Sequence, residues 1–346
     1  MNLRPPGYEP GELPDCSTPR RGVNYSRCYF DCLMRVAAID LGTNTTRLLV
    51  ADVADGRVDE VSRRTTITRL GEGVDSRGKL LPLPIARVRN CLTDYRHELE
   101  SLGAERALLV ATSAVRDADN GDAFLGEIEW SYGFTTRLLT GEEEAELTLR
   151  GASGGRDLPA DAVVVDIGGG STELITAHER VSTDLGSVRL TERFLTSDPP
   201  TEDELDSLAA AVRSVLAEQV PEGLKAQQGI GVAGTITSLA ALDLGLVEYD
   251  PDRVHGHKLG DGAVKAQLER LAALPLAERR EVPGLDPERA PVIVAGAVIL
   301  REVMSHLGLP AIEASEHDIL HGTALEAAKL PERVEGDAPP GAYTCC

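Results

Sequence analysis

The sequence predicts an α/β protein made of two similar domains that flank a cleft. Its 346 residues are enough for about two domains of ordinary size. Strand-like and helix-like segments alternate along the chain, which is typical of α/β folds. Residues 39–51, IDLGTNTTRLLVA, also align position by position with residues 165–177, VDIGGGSTELITA. Because the repeated segment begins each half of the chain, it indicates an internal duplication.

The first domain is assigned to residues 34–155. Short runs rich in Val, Ile, Leu and Thr predict strands at 36–40, 47–53, 58–70, 107–112 and 135–139. Apolar residues recur every three or four positions between Ile85 and Leu102, and they predict an amphipathic helix that Gly103 ends. Two further helices are predicted, at 119–130 and 142–150.

The second domain is assigned to residues 156–330, after a polar, Gly-rich boundary segment at 151–161. Strands are predicted at 162–166, 173–177 and 180–185, and a long helix at 202–220 is closed by Pro221. A Gly-rich turn at 229–235 leads into another helix. A last helix, at 316–328, is expected to pack back on the first domain.

Both ends of the chain have the composition of disordered segments. Residues 1–33 form a predicted leader rich in Pro, Gly and charge, and residues 331–346 form a predicted tail. Met34 directly precedes the first strand and is a candidate start of the functional protein. A disulfide framework for the fold is not expected, because five of the six cysteines lie in these two ends, at Cys16, Cys28, Cys32, Cys345 and Cys346.

The composition excludes several classes of partner. The formal charge of −21 and an aromatic content of 3% disfavour general binding to nucleic acid. The longest apolar stretch, Val292 to Leu300, is far shorter than the roughly 20 residues that span a bilayer, so a soluble protein without a membrane partner is expected. The first thirty residues lack the pattern of a secretory signal, which makes the cytoplasm the default compartment.

The repeated segments carry the strongest functional signal. In each copy a strand ends in an Asp, at Asp40 and Asp166, and a turn rich in Gly, Thr, Asn or Ser follows, at 42–45 and 168–171. Such turns expose backbone N–H groups that bind phosphate oxygens, and the Asp suits a divalent metal ion or water. The alternative is a pair of ordinary hairpin turns. A third Gly turn, at Gly234-Thr235, could add donors at the start of a helix.

Acidic and basic residues elsewhere complete the candidate site. Residues 142–144 place three carboxylates in the first turn of a predicted helix, where one of them could activate water. Acids at this position also complement the helix dipole, so a structural role is the alternative. Arg116 and Arg189 are candidate phosphate contacts, and the alternative for each is a surface ion pair.

These motifs together resemble the exopolyphosphatase and guanosine pentaphosphate phosphohydrolase family, Ppx/GppA. The resemblance runs over about residues 35–328 and rests on DLGTNT at 40–45, the Arg116 segment, GEEEA at 141–145, DIGGGSTE at 166–173 and Gly234-Thr235. It implies the duplicated actin-like ATPase fold, with two ribonuclease-H-like domains. It also implies the short form of the family, without the C-terminal helical domains of longer members.

The resemblance also assigns roles to residues. Glu144 matches the general base that activates water, with Glu143 as its neighbour, and Arg116 matches an arginine that contacts phosphate. Asp166 and Glu173 match the acidic pair near a divalent ion, Mg²⁺ or Mn²⁺, and Asp40 joins them by its position. With the turns, the candidate substrate-binding residues are Gly42, Thr43, Asn44, Thr45, Gly168, Gly169, Gly170, Ser171, Arg189, Gly234 and Thr235.

The expected function is an exopolyphosphatase that releases orthophosphate from the end of linear polyphosphate. The nearest alternative is hydrolysis of guanosine pentaphosphate by the same residues. Two others are an ATP-dependent sugar kinase or chaperone-like ATPase, and a non-catalytic polyphosphate or nucleotide sensor. A homodimer is expected.

Overall fold

The computed structural model describes residues 33–154, 158–224 and 226–331. The predicted leader, apart from Leu33, and the predicted tail, apart from Pro331, lie outside the described residues, as does the predicted domain boundary at 155/156. None of the helices in the described part of the chain combines the length and the apolar composition needed to cross a membrane.

The first sheet has five strands in the order β3-β2-β1-β4-β5. Strands β1, β2 and β3 form an antiparallel meander, and β4 and β5 continue the sheet parallel to β1. The strands are β1 Met34–Leu41, β2 Thr45–Ala54, β3 Arg57–Ile67, β4 Arg106–Ala111 and β5 Thr135–Leu138. The expected strand at 58–70 therefore ends at Ile67, because the backbone N–H groups of Thr68 and Arg69 donate to the carbonyl of Asn44 instead.

Five helices belong to this half: α1 Val74–Arg77, α2 Pro82–Ser101, α3 Ser113–Arg116, α4 Gly121–Tyr132 and α5 Gly141–Ala152. Side chains of β1 alternate between two cores, as the period of two of a strand requires. Ala37, Ile39 and Leu41 pack with residues of α2 and α4. Val36 and Ala38 pack on the opposite face with Leu147 of α5 and with a helix from the end of the chain.

The second sheet repeats the topology of the first. Its strands are β6 Ala162–Ile167, β7 Thr172–Ile175, β8 Arg180–Thr183, β9 Gln228–Val232, β10 Lys258–Gly260 and β11 Ala311–Ala314. The order β8-β7-β6-β9-β11 matches β3-β2-β1-β4-β5, again as a meander followed by two parallel strands, and β10 is an added antiparallel edge. The predicted duplicated fold class is therefore confirmed.

The remaining helices are α6 Ser187–Phe194, α7 Glu202–Gln219, α8 Ala233–Asp243, α9 Pro251–Val254, α10 Asp261–Ala272, α11 Leu276–Arg279, α12 Ile293–Leu307 and α13 Ile319–Ala327. No helix was predicted at α12, because its first eight residues are all apolar and buried, and periodicity within such a run does not separate a buried helix from a buried strand. The last helix begins at Ile319, with Asp318 as its N-cap. It packs on β1, β2 and α5 of the first half.

Candidate active site

The two turns predicted to bind phosphate face each other across the space between the sheets. Each is closed by the same hydrogen bond, from the Gly42 N–H to the carbonyl of Thr45 and from the Gly168 N–H to that of Ser171, both at 3.0 Å. A Cβ atom added to Gly169 would lie 3.0 Å from Cβ of Thr43. Glycine is needed there because the turns nearly touch.

A cavity of about 70 Å³ lies between these turns and is lined by both halves of the chain. That volume holds a few water molecules. The sequence-predicted residues that line it are Asp40, Gly42, Thr43, Asn44, Thr45, Glu144, Asp166, Gly168, Gly169, Gly170, Ser171, Gly234 and Thr235. The fold thus brings together residues that are almost 200 positions apart.

Strand register explains why the acidic residues converge. Asp40 pairs with Arg47 across β1 and β2, and Asp166 pairs with Glu173 across β6 and β7. Paired residues of antiparallel strands project to the same face. On the first sheet that face is covered by α5, whose first turn carries Glu144.

Burial raises the pKa values of these carboxyl groups. Burial, reinforced by the charges of Asp166 and Asp40, raises the pKa of Glu144 to about 8 against the opposing effect of Arg116. Burial also raises the pKa of Asp166 to about 7, although Arg47 opposes it. The pKa of Glu173 is raised by burial and by the charges of Glu144 and Asp166. Near neutral pH these groups therefore tend to hold their protons, and a nearby cation would favour their ionised forms.

Arg47 lines the cavity, although it was not among the predicted site residues. Its Nε and Nη2 atoms donate to Oδ2 of Asp40 at 2.9 and 2.6 Å, and its Nη1 donates to Oδ2 of Asp318. A signal was present, because the repeat aligns Arg47 with Glu173, already a candidate.

Arg289 was also missed, and it had no sequence signal. The residue lies just before α12 and lines the same cavity. It forms no direct salt bridge among the described residues, although the charges of Asp286 and Glu316 act on it. A Cβ at Gly234 would meet Nη1 of Arg289, so this glycine lets the guanidinium lie against the backbone. Only the tertiary structure brings Arg289 to the turns.

Two of the predicted catalytic residues lie outside the cavity lining. Arg116 donates from Nη1 to Oε2 of Glu144 at 3.2 Å and to the carbonyl of Leu139 at 2.8 Å. It therefore contacts the candidate base rather than the cavity. Glu143 accepts from the Thr140 N–H at 2.9 Å in a capping box and pairs with Arg137 at 2.9 Å. These contacts agree with the alternative of a structural role at the start of α5.

Arg189 and Glu173 also differ from their expected positions. Arg189 donates to the carbonyl of Gly170 at 2.9 Å and pairs with Asp75 at 2.7 Å and with Asp117. Arg189 therefore contacts the backbone of the second turn and does not line the cavity. Glu173 is 1% exposed and accepts from Ser182 Oγ at 2.8 Å, so its carboxylate lies behind the cavity wall.

The side chains at the cavity fit a divalent metal ion for which water and substrate, rather than the protein, supply most of the ligands. Within the described ranges, no three His, Cys, Asp or Glu side chains form a ready-made cage. Asp40 and Asp166 nevertheless line the cavity, and burial raises the pKa of each carboxyl group, so a bound cation would favour the ionised form that coordinates it. Mg²⁺ is commonly held by one or two carboxylates together with phosphate oxygens and water.

Fold and site together define a class of protein. Two halves of ribonuclease-H-like topology, with facing turns and buried carboxylates between them, are the arrangement of the duplicated actin-like ATPase fold.

The model of the Ppx/GppA phosphatase family matches residues 49–330, and the chain belongs to this family. Exopolyphosphatase 2 of Mycobacterium tuberculosis is 42% identical over 317 residues, which are 86% of this chain and 99% of that protein. A crystal structure of an exopolyphosphatase-like protein superposes with a TM-score of 0.80 at 34% identity, covering 86% of this chain and 99% of that one. The Aquifex aeolicus PPX-GPPA enzyme gives a TM-score of 0.71 at 31% identity, with 85% and 100% covered.

Proposed function

We propose that the protein is an exopolyphosphatase, which hydrolyses the terminal phosphate of linear inorganic polyphosphate and releases orthophosphate. The observation that carries the proposal is that the buried Glu144 carboxylate shares one small cavity with both facing turns. The name of the mycobacterial relative supports the same substrate.

The terminal phosphate would be held by donors from both halves of the chain. Backbone N–H groups of the two turns and the hydroxyl groups of Thr43 and Ser171 suit its oxygens. Arg289 adds a guanidinium that forms no direct ion pair among the described residues, although the charges of Asp286 and Glu316 act on it. Charge-assisted hydrogen bonds to phosphate are the stronger kind. This local set of donors works against the negative field of the whole chain.

Glu144 is the group best placed to accept a proton from the attacking water. Its raised pKa matches the requirement that a general base titrate near the working pH. Arg116 holds the carboxylate from the side away from the cavity. The donors of the turns would stabilise negative charge on the transferring phosphoryl group.

A divalent ion, Mg²⁺ or Mn²⁺, would be held by Asp40 and Asp166, with Glu173 behind Asp166. When bound, it would neutralise phosphate charge and polarise the phosphoryl oxygens.

The test compares Glu144→Gln with Glu143→Gln, the neighbouring acid that caps α5. Glutamine retains the capping box at position 143, so the second variant is a matched control. With magnesium and polyphosphate of defined length, we expect orthophosphate release to fall at least 100-fold in Glu144→Gln and less than threefold in the control, since general-base catalysis contributes about 10²–10⁴-fold. Similar activity in both variants, or none in the wild type, would refute the proposal.

A second candidate, hydrolysis of guanosine pentaphosphate, is favoured by a neighbouring chamber of about 500 Å³ that shares Arg47, Gly234 and Arg289 with the cavity. Its lining is partly apolar, with Tyr249 and Leu285, and its arginines are balanced by acids such as Asp286 and Glu316. A chamber with little net charge suits a nucleoside better than a polyanion. Rates on polyphosphate and on the nucleotide, measured side by side, separate the two substrates.

The sensor and the kinase or ATPase remain alternative predictions, and each has its own test. A pure sensor would keep its ligand response unchanged in Glu144→Gln, and a kinase or ATPase would turn over ATP without releasing phosphate from polyphosphate. The cytoplasmic location and the homodimer also stay predictions.

A further inference from the structure

Asp318 lies at the N-cap of α13 and is not among the residues predicted for the active site. Its Oδ1 atom accepts the N–H of Leu320 at 2.9 Å and lies 3.4 Å from Nη2 of Arg63. Its Oδ2 atom accepts from Nη1 of Arg47, which lies 271 positions earlier in the sequence. The residue is only 4% exposed.

The two carboxylates hold Arg47 from two sides. Asp40 binds the edge formed by Nε and Nη2, and Asp318 binds Nη1, so the plane of the guanidinium is fixed while the residue still lines the cavity. Asp166 is also close enough to interact electrostatically with Arg47. Without Asp318, this third carboxylate would be free to attract the guanidinium away from its present orientation.

The charge of Asp318 is not needed to build the helix. Ile319, Leu320, Ala324 and Ala327 are buried in the core between α13 and the first sheet. Uncharged Asn and Ser cap helices about as well as Asp. A buried ion cluster costs desolvation energy and is weak evidence for stability. An Asn or Ser at this N-cap could not form the ion pair that Asp318 forms with Arg47.

We propose that Asp318 is a positioning residue for the reaction, which fixes the guanidinium of Arg47 in the orientation that binds substrate phosphate. The proposal rests on the proposed function, because it deepens the description of the same site. It assigns a functional role to the end of the described chain, which folds back on the first half to complete the cleft.

Ionisation of Asp318 supports this arrangement. Burial alone would raise its pKa, but the charges of Arg47 and Arg63 outweigh burial and lower the pKa to about 2. The carboxylate therefore stays ionised over the pH range in which a phosphatase would be assayed.

Asp318→Asn is a selective test. The single amide oxygen is needed by the N–H of Leu320, so the amide NH₂ faces the guanidinium and cannot accept its hydrogen bond. Asp318→Ser is a second variant that also keeps the cap. Glu302→Gln is the matched control, because Glu302 is a buried carboxylate that pairs with Arg213 at 3.1 Å and lines none of these cavities.

Affinity for tripolyphosphate is measured by calorimetry in EDTA, so hydrolysis does not consume the ligand. We expect a loss of at least tenfold in Asp318→Asn and Asp318→Ser and less than twofold in Glu302→Gln. In an Arg47→Gln background, Asp318→Asn is expected to change affinity less than twofold, because its partner is already absent.

Wild-type affinity in both Asp318 variants, an equal loss in Glu302→Gln, or the same loss with and without Arg47 would overturn the proposal. The melting temperature of every variant is measured as well. A merely structural role of Asp318 would lower the melting temperature, but the loss of tripolyphosphate affinity would not depend on the presence of Arg47. Failure of the wild type to hydrolyse polyphosphate would refute the proposed function but would leave this binding test readable.

Discussion

At the residue scale, the two arginines that line the cavity differ in whether a carboxylate pairs with them. Arg47 is paired with two carboxylates, whereas Arg289 has no carboxylate ion-pair partner in the described part of the chain, although both line the cavity. A guanidinium without a direct ion pair breaks none when an anion binds beside it. We therefore expect Arg289 to contribute substantially to substrate affinity, although no sequence motif marks it.

We predict that Arg289→Gln weakens tripolyphosphate binding at least tenfold, because a charge-assisted hydrogen bond contributes about 1.5–3 kcal/mol. Arg301→Gln, an exposed arginine on α12, is the control and should change affinity less than twofold. Calorimetry on the two variants and the wild type checks the prediction. Equal affinities in all three proteins would contradict it.

The buried carboxyl groups predict a pH dependence of stability. The pKa of Glu144 is near 4.5 without perturbation and about 8 in the fold, so between these values the folded state binds a proton that the unfolded state has released. Stability of the metal-free protein should therefore fall as pH rises from 5 to 8, by about 1.4 kcal/mol per pH unit for each such proton.

Melting curves in EDTA at pH 5, 6, 7 and 8 test this expectation. Glu144→Gln removes the group and lowers the repulsion on Asp166, so its melting temperature should decline less steeply than that of the wild type. Parallel declines in the two proteins would show that the carboxyl cluster is not the cause.

At the scale of elements, the hairpin turns set the width of the cleft. A Cβ atom on Gly170 would lie 2.1 Å from Oγ of Ser113 and 2.8 Å from Oγ1 of Thr43, both in the first half of the chain. The Gly-rich turn is thus required by close approach between elements as well as by ligand access. The sequence pattern alone did not show that Gly170 lies too close to Ser113 and Thr43 for a side chain.

We predict that Gly170→Ala forces the turns apart, costs about 1–3 kcal/mol of stability through overpacking, and lowers polyphosphate hydrolysis at least tenfold. Gly126→Ala is the control: this exposed glycine of α4 has no atom within 4 Å of an added Cβ, so alanine should stabilise the helix by about 0.5–1 kcal/mol. Chemical denaturation and rate measurements on both variants check the prediction. Unchanged activity in Gly170→Ala would show that the turns tolerate a wider cleft.

At the scale of the whole molecule, net charge opposes the encounter with the substrate. The chain carries −21 formal charges, and linear polyphosphate is a polyanion. Exposed charges act over about 10 Å at 0.1 M ionic strength and over less in stronger salt. Screening should therefore speed association, in contrast to proteins that attract their substrate electrostatically.

We predict that kcat/KM on long polyphosphate continues to rise when Mg²⁺ is increased beyond the concentration that saturates the site. The rise should be smaller on tripolyphosphate, which carries fewer charges. Steady-state rates over a magnesium series, repeated at constant total ionic strength, measure the effect. A flat response above saturation for the long polymer would contradict the screening role.

Much of the architecture could be predicted because its signals are local. The period of two in β1, the apolar recurrence in α2 and the DxG turns after β1 and β6 are set by neighbouring residues. The internal repeat then predicted that the two turns face each other. Glu143 and Arg189 lie outside the cavity lining, since sequence cannot tell which acid of a helical turn, or which arginine of a short helix, points into a cleft.

Local sequence patterns predict the duplicated α/β fold, the two Gly-rich turns and the Asp residues at the ends of the strands before them. Packing places Glu144, but not Glu143, beside those turns, brings Arg47 and Arg289 to the same cavity, and brings Asp318 to Arg47. Sequence patterns do not show these contacts, because the residues lie far apart along the chain. Backbone preferences act between near neighbours, whereas the charge and burial of a site come from side chains that packing brings together.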